Sequence, residues 1–280
     1  MKQMLERLLV HAVSWPPLSR PAGWLADARL PGWLLRALIR AFVRAYRVDL
    51  SEAEKPVGSF PTFNAFFTRR LRDGARPIAS GPGLVVSPSD SRLATYGRIP
   101  EDGRLEQIKG RTYGLAELLG SEEEAATFKG GVQATLYLSP AMYHRVHAPA
   151  EGRVVSWRYV PGRLFPVNTL AVRHVERLFA RNERVVVRLD TDIGPLAVVL
   201  VGAANVGRIT LSFADLTTNT GAAARHVQLA EPVALQRGAE LGVFNLGSTV
   251  VLLAADGALA PRGPAEGALV RVGQPLWARA

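Results

Sequence analysis

Two kinds of apolar pattern divide the chain. Residues 32–48, GWLLRALIRAFVRAYRV, place Trp33, Leu34, Leu35, Leu38, Ile39, Phe42, Val43 and Tyr46 at helical spacing, with Arg36, Arg40, Arg44 and Arg47 on one narrow stripe. TFNAFFTRRLRD predicts a second helix, with Phe63, Phe66, Phe67 and Leu71 on one face and Thr62 as its N-cap. LAELLGSEEEAATF, from Leu115, predicts one more helix with its acidic residues exposed. From about Val132 the pattern turns to strands: VQATLYLS, GRVVSWRYV, ERVVVRLD, PLAVVLVGAA, GRITLSF, GVFNL, STVVLLA and ALVRVGQPLWA. Gly, Pro, Asn or Asp separate most of them, as expected of an antiparallel domain. The expected fold is therefore α+β: N-terminal amphipathic helices over residues 1–50, then a mainly antiparallel β-sandwich or barrel-like domain over 51–280. Sustained βαβ alternation, GxGxxG and GxxxxGK[ST] are all missing, which disfavours nucleotide-binding folds.

Charge adds a partner to this picture. Lys and Arg number 34 against 24 Asp and Glu, a formal net charge of +10. Such a balance suits nucleic acid or an anionic membrane surface. The arginine stripe lies on a helix with a wide apolar face, and three of the five tryptophans, Trp15, Trp24 and Trp33, fall at the N-terminal end. That combination points to a helix lying in the headgroup layer, although a helix packed on its own domain gives a similar pattern. Zinc-finger spacing and RNP-like aromatics are absent, so nucleic acid is not expected. Neither a spanning apolar run nor a signal-peptide pattern is present. With no cysteine, thiolate nucleophiles, disulfides and iron–sulfur clusters are excluded.

Candidate chemistry begins with FNLGSTVVLLAAD, where Gly247, Ser248 and Thr249 interrupt strand-forming residues. A β-bulge or tight bend is the ordinary explanation; the sharper one makes the Gly247–Ser248 peptide a reactant. A serine reactant needs a base. Of five histidines, His144 and His147 sit together in YLSPAMYHRVHAPAEG, while His11, His174 and His226 have no motif context. The His-x-x-His spacing can chelate zinc, but no third ligand is suggested and no metal is expected.

At this point the residues carry a resemblance. LGST within FNLGSTVVLL, YLSPAMYHRVHAPAEG, VPGRLFPVN, LFARNERVV, VGAANVGRI and FPTFNAFFTRRLRDGARPI together resemble phosphatidylserine decarboxylase of the bacterial membrane-associated type. The resemblance covers nearly the whole chain and implies a pyruvoyl enzyme. Ser248 Oγ would attack the Gly247 carbonyl carbon, turning the peptide into an ester. Loss of the Ser248 α-proton would then release the 1–247 chain and leave dehydroalanine. Tautomerisation and loss of ammonia would leave a covalent pyruvoyl group, the Schiff-base site for the substrate amine, on chain 248–280. The matching positions imply Asp90, His147 and Ser248 as the self-cleavage triad, with Asp90 orienting the His147 base. They imply His144 for the decarboxylation step, as proton donor or carboxylate-positioning group. Around Asp90 the family reads Pro-Ala-Asp-Gly, whereas this chain has Pro88-Ser89-Asp90-Ser91.

The resemblance further implies phosphatidylserine as substrate, two chains that stay associated, and a peripheral place on the cytoplasmic side of the cell membrane. A homodimer is compatible with it. Trp15, Trp24, Trp33, Arg36, Arg40, Arg44 and Arg47 would contact lipid. Two alternatives stay open: a pyruvoyl decarboxylase of another amine, and a non-enzymatic peripheral protein whose Gly-Ser is only a bulge.

Overall fold

In the computed structural model, the described residues are 23–108, 110–204, 207–245 and 248–279. Trp15 and Gly247 lie outside them, as does His11. Residues 23–27 are helical, and helix α1 (Gly32–Tyr46) follows. Arg47 closes α1 in the left-handed conformation, its N–H donating to the Val43 carbonyl, so the stripe's last arginine is a cap rather than a helical residue. Helix α2 (Phe63–Phe67) starts where expected, with Thr62 accepting from the Ala65 amide at 3.1 Å. It stops short of Leu71. The backbone there pairs instead with the 52–54 segment, through Glu54 N–H to Arg70 O and Arg72 N–H to Glu52 O. The expected single helix from Leu115 is two, α3 (Leu115–Leu119) and α4 (Glu122–Phe128). Gly120 at φ 70° ends the first and the Ser121 side chain caps the second, a stop and a start side by side.

The body is mostly antiparallel sheet. Its strands are β1 (Leu84–Val86), β2 (Ser91–Arg98), β3 (Arg104–Ile108), β4 (Arg111–Gly114), β5 (Val132–Leu138), β6 (Arg145–His147), β7 (Gly152–Val160) and β8 (Arg184–Thr191). Then come β9 (Gly194–Gly202), β10 (Arg208–Leu211), β11 (Arg225–Leu235), β12 (Glu240–Asn245), β13 (Ser248–Ala254), β14 (Leu259–Pro261), β15 (Leu269–Val270) and β16 (Pro275–Arg279). Short helices α5 (Thr169–His174) and α6 (Leu178–Arg181) precede β8. Eight strands form one sheet in the order β11-β7-β8-β9-β13-β5-β2-β15. Smaller sheets are β10-β12-β6, β1-β16-β14 and β3-β4. Among the described residues no barrel closes: the large sheet ends at β11 on one side and β15 on the other.

Both faces of the large sheet are covered, which is why its central strands read as unbroken apolar runs rather than alternating ones. One face, through Leu136, Val198, Leu200, Val250 and Leu252, packs in a core with Val146 and Phe244 of the β10-β12-β6 sheet and with Leu276 and Trp277 of β16. The other face, through Val199, Val201, Val251 and Leu253, packs against Leu115, Leu118, Phe128, Leu178 and Phe179 from the helical side. At about 1.5–3 kcal/mol per fully buried large side chain, these two layers dominate the stabilisation. A third cluster joins Leu35 and Ile39 of α1 to Phe60 and Phe66.

Candidate functional site

Ser248 opens β13 and is completely buried. Its backbone pairs with Leu138 of β5 on one side and Gly202 of β9 on the other, and both ladders run without a register shift. From Ser248 onward there is no bulge. Side chains alternate along a strand, so Ser248 shares the face of Val250 and Leu252, toward the β10-β12-β6 sheet. Thr249 shares the opposite face with Val251. The hydroxyl oxygens of Ser248 and Thr249 are buried, and neither has a hydrogen-bond partner among the described residues. Leaving a buried hydroxyl unsatisfied costs about 1–3 kcal/mol. An apolar strand that carries two such groups side by side needs a reason for them.

Motifs quoted from the sequence build this position. Asn182, in LFARNERVV, is wholly buried and donates to the carbonyls of Phe165 at 2.9 Å and Gly202 at 2.8 Å. Its own side-chain oxygen accepts from the Phe165 amide at 2.9 Å. It thereby ties the VPGRLFPVN loop to the strand end beside Ser248. A side chain on Gly202 would meet the Gly207 carbonyl at 2.9 Å, so only glycine permits this close approach.

His144 immediately precedes β6 and is completely buried. By strand alternation it points with Val146 into the layer that Ser248 also faces. Its Nδ1 lies 2.9 Å from the Met142 carbonyl. A carbonyl can only accept, so Nδ1 carries the proton and Nε2 the lone pair. That Nε2 is buried without a partner among the described residues. The Phe67 ring packs on the imidazole, centroids 4.0 Å apart. The His144 carbonyl accepts from the Phe244 amide at 2.9 Å, in the strand that leads toward Ser248. Burial pushes the His144 pKa down to about 3; the Met142 bond opposes it, and the charge of Arg69 adds a smaller downward effect. The imidazole is neutral at ordinary pH and offers a dry lone pair.

His147 has the opposite parity. It lines a cavity of about 580 Å³ with Tyr143, Arg70, Arg76, Gly238 and Glu240. Nδ1 donates to the Gly238 carbonyl at 2.8 Å, so Nε2 again holds the lone pair and accepts from the Tyr143 hydroxyl at 3.1 Å. The two rings stack with centroids 5.6 Å apart. Burial lowers the His147 pKa and pushes the Tyr143 phenol up to about 12, which keeps both groups neutral.

Asp90 lies near this cavity but is held by other groups. Arg76 donates to it from Nε at 2.8 Å and from Nη2 at 2.5 Å, and the Val272 amide donates at 2.9 Å. The two segments touch through backbone, with His147 N–H donating to Pro88 O at 2.8 Å. Among the described residues, however, no hydrogen bond joins Asp90 to His147 or His147 to Ser248. The departure at Ser89 and Ser91 has a local explanation: their buried hydroxyls bond each other at 2.7 Å, and neither residue has a positive φ that would demand glycine.

On the outer surface, Trp24 is 86% exposed and Trp33 69%, with Leu25 and Leu38 also exposed. Arg36, Arg40, Arg44 and Arg47 are all exposed. Leu35 and Ile39 point inward instead, so α1 serves both the protein and the surface. Three residues near the site were not singled out from sequence: Tyr143, which engages the His147 lone pair, Arg76, which clamps Asp90, and Arg69, beside His144. All three lie inside the quoted motifs, yet nothing in their spacing reveals which side chain they meet.

Comparison with known proteins points to one family. The family model described as phosphatidylserine decarboxylase matches residues 63–278, and a second, described as PSD, matches residues 17–47. The chain is 47% identical to a phosphatidylserine decarboxylase proenzyme of Anaeromyxobacter sp. (strain K) over 98% of this chain and 99% of the relative. It is 49% identical to the proenzyme of Stutzerimonas stutzeri over 89% of this chain and 86% of that one. With the Pseudomonas aeruginosa proenzyme it shares 50% identity over 84% and 83%.

Proposed function

Because the chain belongs to the phosphatidylserine decarboxylase family, we propose that it converts phosphatidylserine to phosphatidylethanolamine through a ketone made from its own Ser248. It is a lyase of phospholipid synthesis, made as a proenzyme. The observation that carries the reading is the Ser248 hydroxyl: buried, unpartnered among the described residues, and held in register between two strands. Its surroundings fit a pyruvoyl group, since a buried carbonyl in an apolar layer is shielded from water. Such a group supplies the electron sink that α-decarboxylation of an amino acid needs.

The chain's own residues do the rest. Ser248 Oγ attacks the Gly247 carbonyl carbon and gives up its proton to an imidazole. Following the resemblance, we assign that base to His147 and the orienting role to Asp90; this requires the Tyr143 hydroxyl to leave Nε2 and the imidazole to turn from its cavity toward Ser248 before cleavage. His144, with Nδ1 fixed by Met142, presents Nε2 toward the serine's layer. To act as donor in decarboxylation it must first take up a proton, which a substrate carboxylate beside it favours. The cleaved chains, 1–247 and 248–280, stay together because β13 is the middle of the large sheet, paired on both edges and buried on both faces.

Residues 1–50 dock the enzyme on an anionic bilayer through Trp15, Trp24, Trp33 and the four arginines, leaving it peripheral on the cytoplasmic side. No helix among the described residues is long and apolar enough to cross a membrane. The exposed tryptophans and leucines around α1 support this reading. The test is Ser248→Ala. It removes nucleophile and leaving oxygen together, so the chain stays whole and releases no carbon dioxide from phosphatidylserine vesicles. Turnover by the uncleaved variant would refute the proposal.

A further inference from the structure

Arg69 is a buried cation with no carboxylate bound to it. Its residue exposure is 4%, and its only hydrogen bond among the described residues runs from Nη2 to the Ala141 carbonyl at 3.1 Å. Nε and Nη1 are buried and unpartnered. The guanidinium lies over the Phe66 ring, 5.5 Å from its centroid. Arg69 also lines a cavity of about 290 Å³ together with Lys55, Ser59, Arg70, Arg145 and Glu54. Four cations therefore face one carboxylate there. Arg145 is partly neutralised by Glu240 at 2.7 Å and anchored to the Thr68 carbonyl at 2.9 Å. Arg69 has no such partner; it reaches Ala141, in the segment leading to His144, and lies over Phe66 of the cluster that packs on α1.

We propose that Arg69 and its cavity bind the phosphodiester of the lipid substrate, making Arg69 a headgroup-positioning residue; this rests on the decarboxylase reading above. A buried guanidinium with unpaired N–H groups on Nε and Nη1 carries a full charge and donors that phosphate oxygens accept. The substrate carries a second anion, its carboxylate, but that group is the wrong one to hold by charge. It loses its charge as carbon dioxide departs, so a cation on it would stabilise the ground state more than the transition state. The phosphodiester keeps its charge throughout. Gripping it lets binding energy from the unreacting part of the lipid place the amine and carboxylate near Ser248.

The experiment has a binding arm and a kinetic arm. In the binding arm the full-length, uncleaved Ser248→Ala protein is titrated with monomeric dihexanoyl phosphatidylserine, dihexanoyl phosphatidylethanolamine and inorganic phosphate, with and without Arg69→Gln. Arg69→Gln weakens both lipids by a similar factor of about 10 or more, and Arg69→Lys restores part of it. A loss confined to phosphatidylserine would place Arg69 on the carboxylate and overturn the proposal. Inorganic phosphate binding more tightly than either lipid, and only with Arg69 present, would make this a free-phosphate site and overturn it too. In the kinetic arm Arg69→Lys in the self-cleaved enzyme raises KM about three- to tenfold, less than Arg69→Gln weakens binding, and leaves kcat within about twofold. A folded, cleaved variant with unchanged KM would contradict the assignment. Should Arg69→Gln fail to fold, Arg69→Lys decides in both arms. Because the binding arm needs no turnover, it still reads out if the decarboxylase reading fails.

Discussion

Helix α1 and strand β13 are both rich in large aliphatic residues, and they use them in opposite ways. Every residue of β13 is buried, whereas α1 buries Leu35 and Ile39 and leaves Trp33, Leu34, Leu38 and Tyr46 exposed. β13 is covered on both faces by its own chain. α1 is covered on one, and its other side mixes indole, leucine and arginine as a lipid–water boundary requires. The same composition thus ends in two different degrees of burial. The proposed chemistry falls where burial is complete, and the proposed docking where it is not.

The largest effects should come from the buried side. His147→Ala is expected to slow self-cleavage by about 10²–10⁴-fold, the usual worth of a general base, while His144→Ala still cleaves but decarboxylates poorly. Intact mass followed by a carbon dioxide release assay separates the two steps. Normal turnover by cleaved His144→Ala would remove it from the decarboxylation step.

Acid should act on the same layer. The folded-state pKa of His144, about 3, lies below the ordinary 6.5, so the unfolded chain binds a proton that the native chain refuses. The stability contributed by this neutral imidazole is fully present above pH 6.5 and declines as pH falls toward 3. With about 1.4 kcal/mol per unit, the loss is on the order of 5 kcal/mol. His144→Asn, which keeps a donor for Met142, should flatten that acid limb in urea denaturation at a series of pH values. An unchanged limb would place the acid sensitivity elsewhere.

One substitution made in both regions sharpens the contrast. Leu252→Ala in β13 should cost about 2–5 kcal/mol of folding stability. Leu38→Ala on α1, 44% exposed, should cost no more than about 0.5 kcal/mol yet weaken vesicle binding. Equal losses of stability would mean that α1 is simply part of the core. The smallest effects belong to the arginines. Arg36→Gln, Arg40→Gln, Arg44→Gln or Arg47→Gln alone should reduce sedimentation with anionic vesicles by about fivefold at low salt, near 1 kcal/mol each. The loss should shrink at physiological salt, where charges are screened beyond about 8 Å, and self-cleavage should not change.

This division was partly legible in the residues themselves. Central strands such as STVVLLA and PLAVVLVGAA announced themselves by continuous β-branched and aliphatic runs. β11 did not, because it is an edge strand with mostly exposed side chains, and Pro232 lies in the stretch between Gln228 and Val233 where its register slips. The Gly120–Ser121 break, which divides one expected helix into α3 and α4, could have been read as a cap followed by a cap. Ser248 and the histidine pair stood out because hydroxyl and imidazole were scarce in their apolar setting. The Arg76 clamp on Asp90 and the Tyr143 bond to His147 depend on which side chains the fold brings together, and local spacing does not carry that.

The central claim, that Ser248 is converted rather than merely buried, meets its most direct test in the intact mass of the purified full-length protein. Two chains are predicted, 1–247 and 248–280, the smaller one blocked to Edman sequencing and lighter by one ammonia than a chain beginning with serine. An unbroken 280-residue mass in a preparation that turns over phosphatidylserine would contradict the account.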